Sequence, residues 1–358
     1  MSSGPEAPGR GPASGRPFVS VVVTAYRRRQ YLVEAVRSVV ATSLAPSEYE
    51  VVVVKDFSDP AVDSELSRLG PNVHLITIDL PRMGDSLARG VEAARGEVVA
   101  FLEDDDRFLP GKLEAVAARF HADANLGFLR NAYHAIDAEG RPVGTWENFR
   151  PTPPAVRTFD PRVERPGDLP WVFRFSPNVN VSTMAVRAEL LRPWTESLTR
   201  VTAALDSFLF VTALVSDRSV RVEPVPLNEY RVHASLSHSA IADGAEALDL
   251  RDTARSQPTA ELMAGIVAQR PGHPLAVRFT KAFRREVEVN IFLLDPRARL
   301  SFRDWLAFLR SALARRQKYL FVPGFYCLYR WLAPEGAVVS YRRRRTRTLR
   351  DAAAGSPR

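Results

Sequence analysis

Two rhythms of apolar positions divide the first 120 residues. VSVVVTAY (19–26), YEVVVVKD (49–56), VHLITID (73–79) and EVVAFLEDDD (97–106) are nearly continuous β-branched runs of strand length, the pattern of strands buried on both faces. Between them the spacing turns helical. RRQYLVEAVRSVV (28–40) places Leu32, Val33, Val36, Val39 and Val40 on one face. SLARGVEAARG (86–96) predicts a helix closed by Gly96, and LPGKLEAVAARF (109–120) another with Pro110 in its first turn. Strand, helix, strand, strand, helix, strand, helix predicts an α/β fold, a mainly parallel sheet flanked by helices.

Beyond residue 120 the pattern is looser. Seven prolines between Pro151 and Pro177 predict a long surface loop. Regular patterning resumes at NVNVSTMAVRAELL (178–191), and LDSFLFVTALV (205–215) predicts a helix. From about residue 246 the chain reads as helical; SFRDWLAFLRSALARRQKYL (301–320) gathers Phe302, Trp305, Leu306, Leu309 and Leu313 on one face and arginines on the other. The expected division is a leader over 1–17, an α/β domain over 18–245 with halves meeting at residues 120 and 121, and a basic helical region over 246–358. The leader has no apolar core of the kind a signal peptide carries.

Composition adds three constraints. Apolar residues at 46% and charged residues at 25% exclude wholesale disorder and collagen-like repeats. One cysteine, Cys327, can form neither an internal disulfide nor a thiolate zinc cluster, which suits a reducing, cytoplasmic setting. The net charge of +8 is uneven: residues 274–358 hold nineteen Lys/Arg against six Asp/Glu, so the rest of the chain carries 8 − 13 = −5. A basic surplus confined to one end points to a local anionic partner.

Ligands of open α/β sheets sit beyond the carboxyl ends of the strands. Here those ends are Thr24-Ala25-Tyr26, Lys55-Asp56-Phe57-Ser58 and Glu103-Asp104-Asp105-Asp106. Four adjacent carboxylates repel one another. A hard divalent cation, Mn²⁺ or Mg²⁺, resolves that conflict and leaves positions for phosphate oxygens. The plainer reading is a solvated acidic turn that caps the next helix through Asp106.

These elements together resemble the family 2 glycosyltransferases, which adopt the GT-A fold. VSVVVTAYRR is similar to the family's opening strand, VVVVKDFSD to its VVVDDGSTD element, and GDSLARGVEAARGEVVAFLEDDDRFLPGKLE to its long block ending in the metal-binding acids. Later, NVSTMAVRAELL, LDSFLF and EYRVHASLSHS are similar to its acceptor-side strand, its catalytic-base motif and its YRvHpgSlS element. The chain departs from the pattern at Lys55, Phe57, Ala88, Glu103, Leu205 and Phe208.

The resemblance implies transfer of a sugar from a nucleotide-diphosphate sugar to an acceptor hydroxyl, with inversion, in glycan, glycolipid or glycosylated metabolite synthesis. It implies Asp206 as catalytic base. Thr24, Tyr26, Asp56, Arg89, Asp104 and Arg231 would contact the donor, and Glu103, Asp105 and His233 the metal. Two other readings stay open. One is a sugar nucleotidyltransferase, although TAYRRRQ lacks that class's glycine-rich loop; the other is a degenerate protein that holds a nucleotide sugar without turnover. The basic end reads either as a solvated helix face or as an interfacial anchor on an anionic membrane, through the helix over 301–320, YLFVPGFYCLYRWLA (319–333) and Arg342 to Arg345. The arginines accompany no recognised nucleic-acid reader, so no nucleic acid is expected.

Overall fold

The computed structural model describes residues 15–26, 28–79, 83–143, 151–232, 245–315, 321–333 and 336–344. Four parallel strands, β1 (Val19–Ala25), β2 (Tyr49–Lys55), β3 (Val73–Thr77) and β4 (Val98–Glu103), lie in the order β3-β2-β1-β4. The sheet continues past β4 with β8 (Met184–Arg187), β6 (Leu126–Ile136), β9 (Ser219–Arg231) and β5 (Arg107–Phe108). β8 runs antiparallel to both β4 and β6, whereas β6 and β9 are parallel. A short strand, β7 (Arg157–Phe159), pairs antiparallel with β9.

The chain steps outward from β1 to β3 and then returns to β4 on the other side of β1. That reversal makes the carboxyl ends of β1 and β4 a topological switch point, where the flanking loops part and leave a crevice. Register puts Thr24 between Val54 and Glu103, so the three expected ligand-bearing strand ends meet there.

Alternation along the strands builds two cores. Val21, Val23, Val53, Ala100 and Leu102 face Leu32 and Val36 of α1 (Leu32–Val40) and Leu113 and Phe120 of α4 (Lys112–Ala122). Val22, Val99 and Phe101 face the other way, toward α3 (Met83–Ala93) and α8 (Leu205–Leu214). The first two strands are buried at almost every position, as continuous apolar runs require.

Several elements differ from the sequence reading. A helix, α2 (Pro60–Ser67), lies between β2 and β3; Asp59 caps it through the Ala61 and Val62 N–H groups, and Pro60 opens it. The proline-rich stretch is not one loop, for it holds β7 and α5 (Asp168–Phe175), whose start Asp168 ties to Arg157. β4 stops at Glu103, so the last three acids form a turn. α1 begins at Leu32, which leaves Arg28 outside it, and α4 begins after Gly111 (φ 84°), past Pro110.

The expected break at residue 245 is not a packing boundary. α9 (Ala245–Gln269) and α10 (Pro274–Leu294) supply Met263, Ile266, Ala276 and Phe279 to the core that holds Phe208 and Phe210. Phe279 meets Phe210 edge-on at 5.3 Å. A separate cluster joins Phe292 and Leu293 of α10 to Phe308 and Ala312 of α11 (Phe302–Ala314) and Cys327 of α12 (Phe321–Leu332). The buried face of α11 therefore centres on Phe308 and Ala312. Phe302 and Leu313, on the apolar face with Trp305, are exposed.

α3 approaches β1 closely at one point. A Cβ on Gly90 would lie 2.2 Å from Val22 Cγ1, inside any tolerable contact. Overpacking a core typically costs about 1–3 kcal/mol, more than the fraction of a kilocalorie that Gly→Ala gains within a helix. Gly90→Ala therefore lowers the urea midpoint, and Val22→Ala added to it restores part of the loss. A Gly90→Ala variant as stable as the parent would show that the helix can retreat from the sheet.

Candidate functional site

The acid turn 103–106 is held from every side. Its backbone is pinned by Asp104 N–H to Thr24 O (3.1 Å) and Asp106 N–H to Glu103 O (3.2 Å). Asp104 Oδ2 accepts the Tyr26 N–H at 3.3 Å. Arg28 places one guanidinium nitrogen on Asp104 Oδ1 at 2.6 Å and the other on Asp105 Oδ2. Asp106 is fully buried and accepts from Ser182 Oγ at 2.6 Å and Arg231 N–H at 2.9 Å.

Packing so much negative charge away from water shifts its protonation. Burial, then repulsion from Asp105 and Asp106, pushes Glu103 well above the usual carboxylate range. Asp104 is pushed up to about 7 by burial, against the pull of Arg28, and Asp106 up to about 8 by burial and the nearby Asp105. The Tyr230 phenol is raised by its own burial and by Asp106 and Glu103, which places it against the same cluster; its ring meets Tyr133 edge-on at 5.3 Å. The sequence reading missed Arg28, Ser182, Asn180 and Tyr230. Only their adjacency to quoted motifs (TAYRRRQ, NVNVSTM, EYRVH) marked them.

A buried relay supports the turn from below. Lys112, on α4, donates to Asn131 Oδ1, and Asn131 Nδ2 reaches Asn228 Oδ1 at 2.8 Å. Asn228 Nδ2 donates to Ser182 O at 2.7 Å, and Ser182 Oγ accepts the Glu103 N–H at 3.0 Å while bonding Asp106.

The expected site residues divide into three groups. Thr24, Tyr26, Asp104, Asp105 and Glu103 converge on the crevice, with Asp56 at the neighbouring strand end, its N–H on Ala25 O at 3.3 Å. Asp206 joins them through Asn180. Its Oδ2 accepts the Asn180 N–H at 3.2 Å and its Oδ1 the Ser207 N–H at 2.7 Å, while Asn180 Oδ1 accepts the Ser182 N–H at 2.8 Å and Ser182 Oγ bonds Asp106. It is not the N-cap of α8, a position held by Ala204.

Arg231 and Arg89 are placed otherwise. The Arg231 guanidinium is buried beneath the turn and donates to Asp105 O (2.8 Å), Glu34 Oε2 (2.9 Å) and the carbonyls of Asp137 and Ala138, over the Tyr31 ring at 4.3 Å. With its donors spent on protein acceptors, it shapes the turn instead of presenting a free cation to a ligand. Arg89 is exposed on α3 and pairs with Glu92 at 3.3 Å. His233 lies outside the described residues.

Backbone strain gathers beside the site. Ser176, Asn180 and Ala204 are the three non-glycine residues with positive φ among those described, at 45°, 68° and 55°. Such conformations cost about 1–3 kcal/mol each and persist where the surroundings impose them. Here they aim Asn180 and the start of α8 at the acid turn.

Among the described residues no three His, Cys, Asp or Glu side chains form a cage for a metal ion. The donor set nonetheless fits a divalent cation bound in part by something else. Asp105 and Glu103 offer hard carboxyl oxygens, and a cation there would displace the protons that burial favours on the turn.

The crevice, the strand order and the acid turn define a GT-A glycosyltransferase fold. The chain is similar over 95% of its length to S. aureus TarS residues 1–349 (92% of that chain, 17% identity, TM-score 0.51). It is similar over the same share to the mannosyltransferase PcManGT from Pyrobaculum calidifontis (86% of that chain, 18% identity, TM-score 0.50). Residues 20–178 match the family described as glycosyl transferase family 2. A putative teichuronic acid biosynthesis glycosyltransferase, TuaG of Bacillus subtilis, is 27% identical over 133 residues, 36% of this chain and 51% of TuaG. An uncharacterized glycosyltransferase of Rickettsia bellii is 27% identical over 125 residues, 34% of this chain. The matched region spans 18% of that rickettsial protein and about half of TuaG.

Lys112 yields a pH test of the relay. Burial and Arg130 push its ammonium down to about 7 from 10.5, with Glu223 pulling the other way. Below pH 7 the folded protein bears the whole cost of a buried cation. Between about 7 and 10.5 the unfolded chain binds a proton that the folded one lacks, so this residue's contribution to stability improves as pH rises. Lys112→Met removes that titration. Its stability relative to the parent therefore falls from pH 7 to 10, with a limiting slope of about 1.4 kcal/mol per pH unit. A flat difference across that range would place the lysine in contact with water.

Proposed function

We propose that the chain is an inverting, divalent-cation-dependent glycosyltransferase that moves a sugar from a nucleotide-diphosphate sugar to an acceptor hydroxyl. The observation that carries this reading is the desolvated acid turn at the switch point, a place where charge is concentrated beside a crevice. PcManGT, which shares the fold, is in complex with GDP-Man and Mn2+, and that supports both the donor class and the cation. TuaG's name supports surface glycan synthesis as the setting.

In this reading Asp105 and Glu103 hold Mn²⁺ or Mg²⁺, which supplies Lewis-acid neutralisation of the leaving diphosphate. Thr24, Tyr26 and Asp56 line the nucleotide end of the crevice, and Asp104 stays with Arg28 and the Tyr26 N–H. Asp206 takes the proton from the acceptor hydroxyl. Two backbone N–H groups fix its carboxylate, and the first turn of α8 favours its ionised form. A base on the acceptor side implies direct displacement at the anomeric carbon and hence inversion.

One observation favours a second reading. Arg28 already bridges Asp104 and Asp105, as in a protein that binds the nucleotide sugar without a cation and without turnover. Donor hydrolysis or transfer in Mn²⁺ separates the two.

Calorimetry with nucleoside diphosphates tests the site. One of them binds the parent in Mn²⁺ and loses affinity with chelator, and Asp105→Ala removes the cation-dependent part. Equal affinity in parent and variant would refute the assignment of Asp105. For the base, Asp206→Asn lowers turnover about 10²–10⁴-fold while leaving diphosphate affinity within about twofold. Unchanged turnover would move the proton transfer to another group.

A further inference from the structure

The C-terminal helices invert the usual distribution of polarity. α12 buries Gly324, Cys327 and the charged Arg330, whose guanidinium donates to the Pro296 and Ala298 carbonyls (2.9 and 3.0 Å) and lies over the Phe292 ring. Toward solvent it turns Phe325 (66% exposed), Leu328, Tyr329, Trp331 and Leu332 (87% exposed). Phe302, at the start of α11 and 62% exposed, extends this face, its ring 6.0 Å from Trp331 and 5.0 Å from Trp305. Eight of the eleven exposed large hydrophobic side chains among the described residues lie between Phe302 and Val339, a concentration in the C-terminal helices and not the usual scatter.

A second feature lies along the neighbouring helix pair, α10 and α11. Arg278, Lys281 and Arg285 stand at i, i+3 and i+7 on α10 and, with Arg310 of α11, line a groove of about 320 Å³. One acid reaches this row, Glu164, on Arg278 at 2.7 Å. Arg310 follows Phe302 by eight residues, roughly 12 Å of helix rise, so α11 joins the apolar patch to the basic groove. Residues 296–350 carry fourteen Lys/Arg against two acids.

We propose that this face seats on an anionic phospholipid surface, with the exposed side of α12 and Phe302 entering the headgroup boundary and the basic groove taking lipid phosphates. Interfacial helices bury their apolar face about 5–10 Å into that boundary while cations remain at the headgroups. Aromatic side chains suit the same depth. Charge decides against a second copy of this chain, because two such faces would bring like-charged grooves together. No described helix is long and apolar enough to cross a membrane, so contact of this kind stays peripheral for the described residues. The proposal is independent of the sugar chemistry: either reading of the crevice leaves this face as it is.

Sedimentation with vesicles tests it on the full chain. Vesicles of equal parts phosphatidylglycerol and phosphatidylcholine pull down the parent, and pure phosphatidylcholine does so far more weakly. Added salt releases it. Lys281→Glu/Arg310→Glu weakens binding about thirtyfold or more. Phe325→Ser/Leu332→Ser abolishes the blue shift of tryptophan emission on binding. All four positions are at the surface, and nucleoside diphosphate affinity measured without vesicles reports separately on the crevice. A parent that ignores anionic vesicles, or double variants that bind as it does, overturns the proposal. So does displacement by inorganic phosphate at constant ionic strength, which would make the groove a small-anion site. A stable dimer that Phe325→Ser/Leu332→Ser dissociates would also overturn it.

Discussion

Four consecutive carboxylates at the end of a buried strand set the terms for everything around them. Left alone in a poorly hydrated place, they would repel one another and take up protons. The fold surrounds them with donors drawn from distant parts of the chain: Arg28 and the Tyr26 N–H after β1, Ser182 before β8, and the Arg231 N–H at the end of β9. These donors do not neutralise the turn completely. Asp104 and Asp106 remain raised to about 7 and 8, so the site retains an affinity for further positive charge. A diphosphate alone would be repelled by such a turn; a diphosphate carrying a cation would not. That asymmetry ties the donor class to the metal in one physical statement.

The N-terminal half was legible because its signals are local. Continuous Val runs identify doubly buried strands, and the acids that follow β4 advertise a strand end. β6 was harder to read, because its eleven residues include Arg130 and Asn131, which break the apolar run yet are buried. Asn131 belongs there because Lys112 and Asn228 meet it from other elements, a pairing that no window of sequence contains. Arg231 misled for a related reason. Its place in a motif suggests a ligand-facing cation, but Glu34 and three carbonyls absorb it from below. The apolar face of α11 did not reveal which of its residues are buried, because Phe302 and Leu313 outside and Phe308 inside are all apolar.

The segment from Ser176 to Asp206 shows how the start of α8 is joined to the acids. Three positive-φ residues interrupt it, and none is glycine. Asn tolerates that region better than most residues; Ala204 does so only under constraint. The constraint comes partly from α9, where Thr259 Oγ1 donates to Ala203 O at 2.8 Å and Thr202 Oγ1 to Arg255 O at 2.9 Å. The C-terminal helices thus brace the turn that starts α8 and presents Asp206. Their contribution to the core and to the crevice explains why the chain does not divide cleanly at residue 245.

Lys55 shows how a departure from the family pattern is accommodated. It occupies the position of an acid in the resembled motif and is completely buried. Its ammonium is satisfied by Phe57 O at 2.6 Å, Thr77 Oγ1 at 3.1 Å and Asp63 at 3.0 Å. Phe57, which stands where the pattern has glycine, lies 5.3 Å from that ammonium and 5.2 Å from the Arg29 guanidinium. The two changes therefore act as one unit: a cation replaces an acid, and an aromatic face replaces an open turn to receive it. The end of β2 beside Asp56 is consequently less negative and more filled than the pattern implies. The rebuilt wall at β2 stands one strand away from the acid turn that follows β4, with β1 between them, so these two departures leave the surroundings of the turn unchanged.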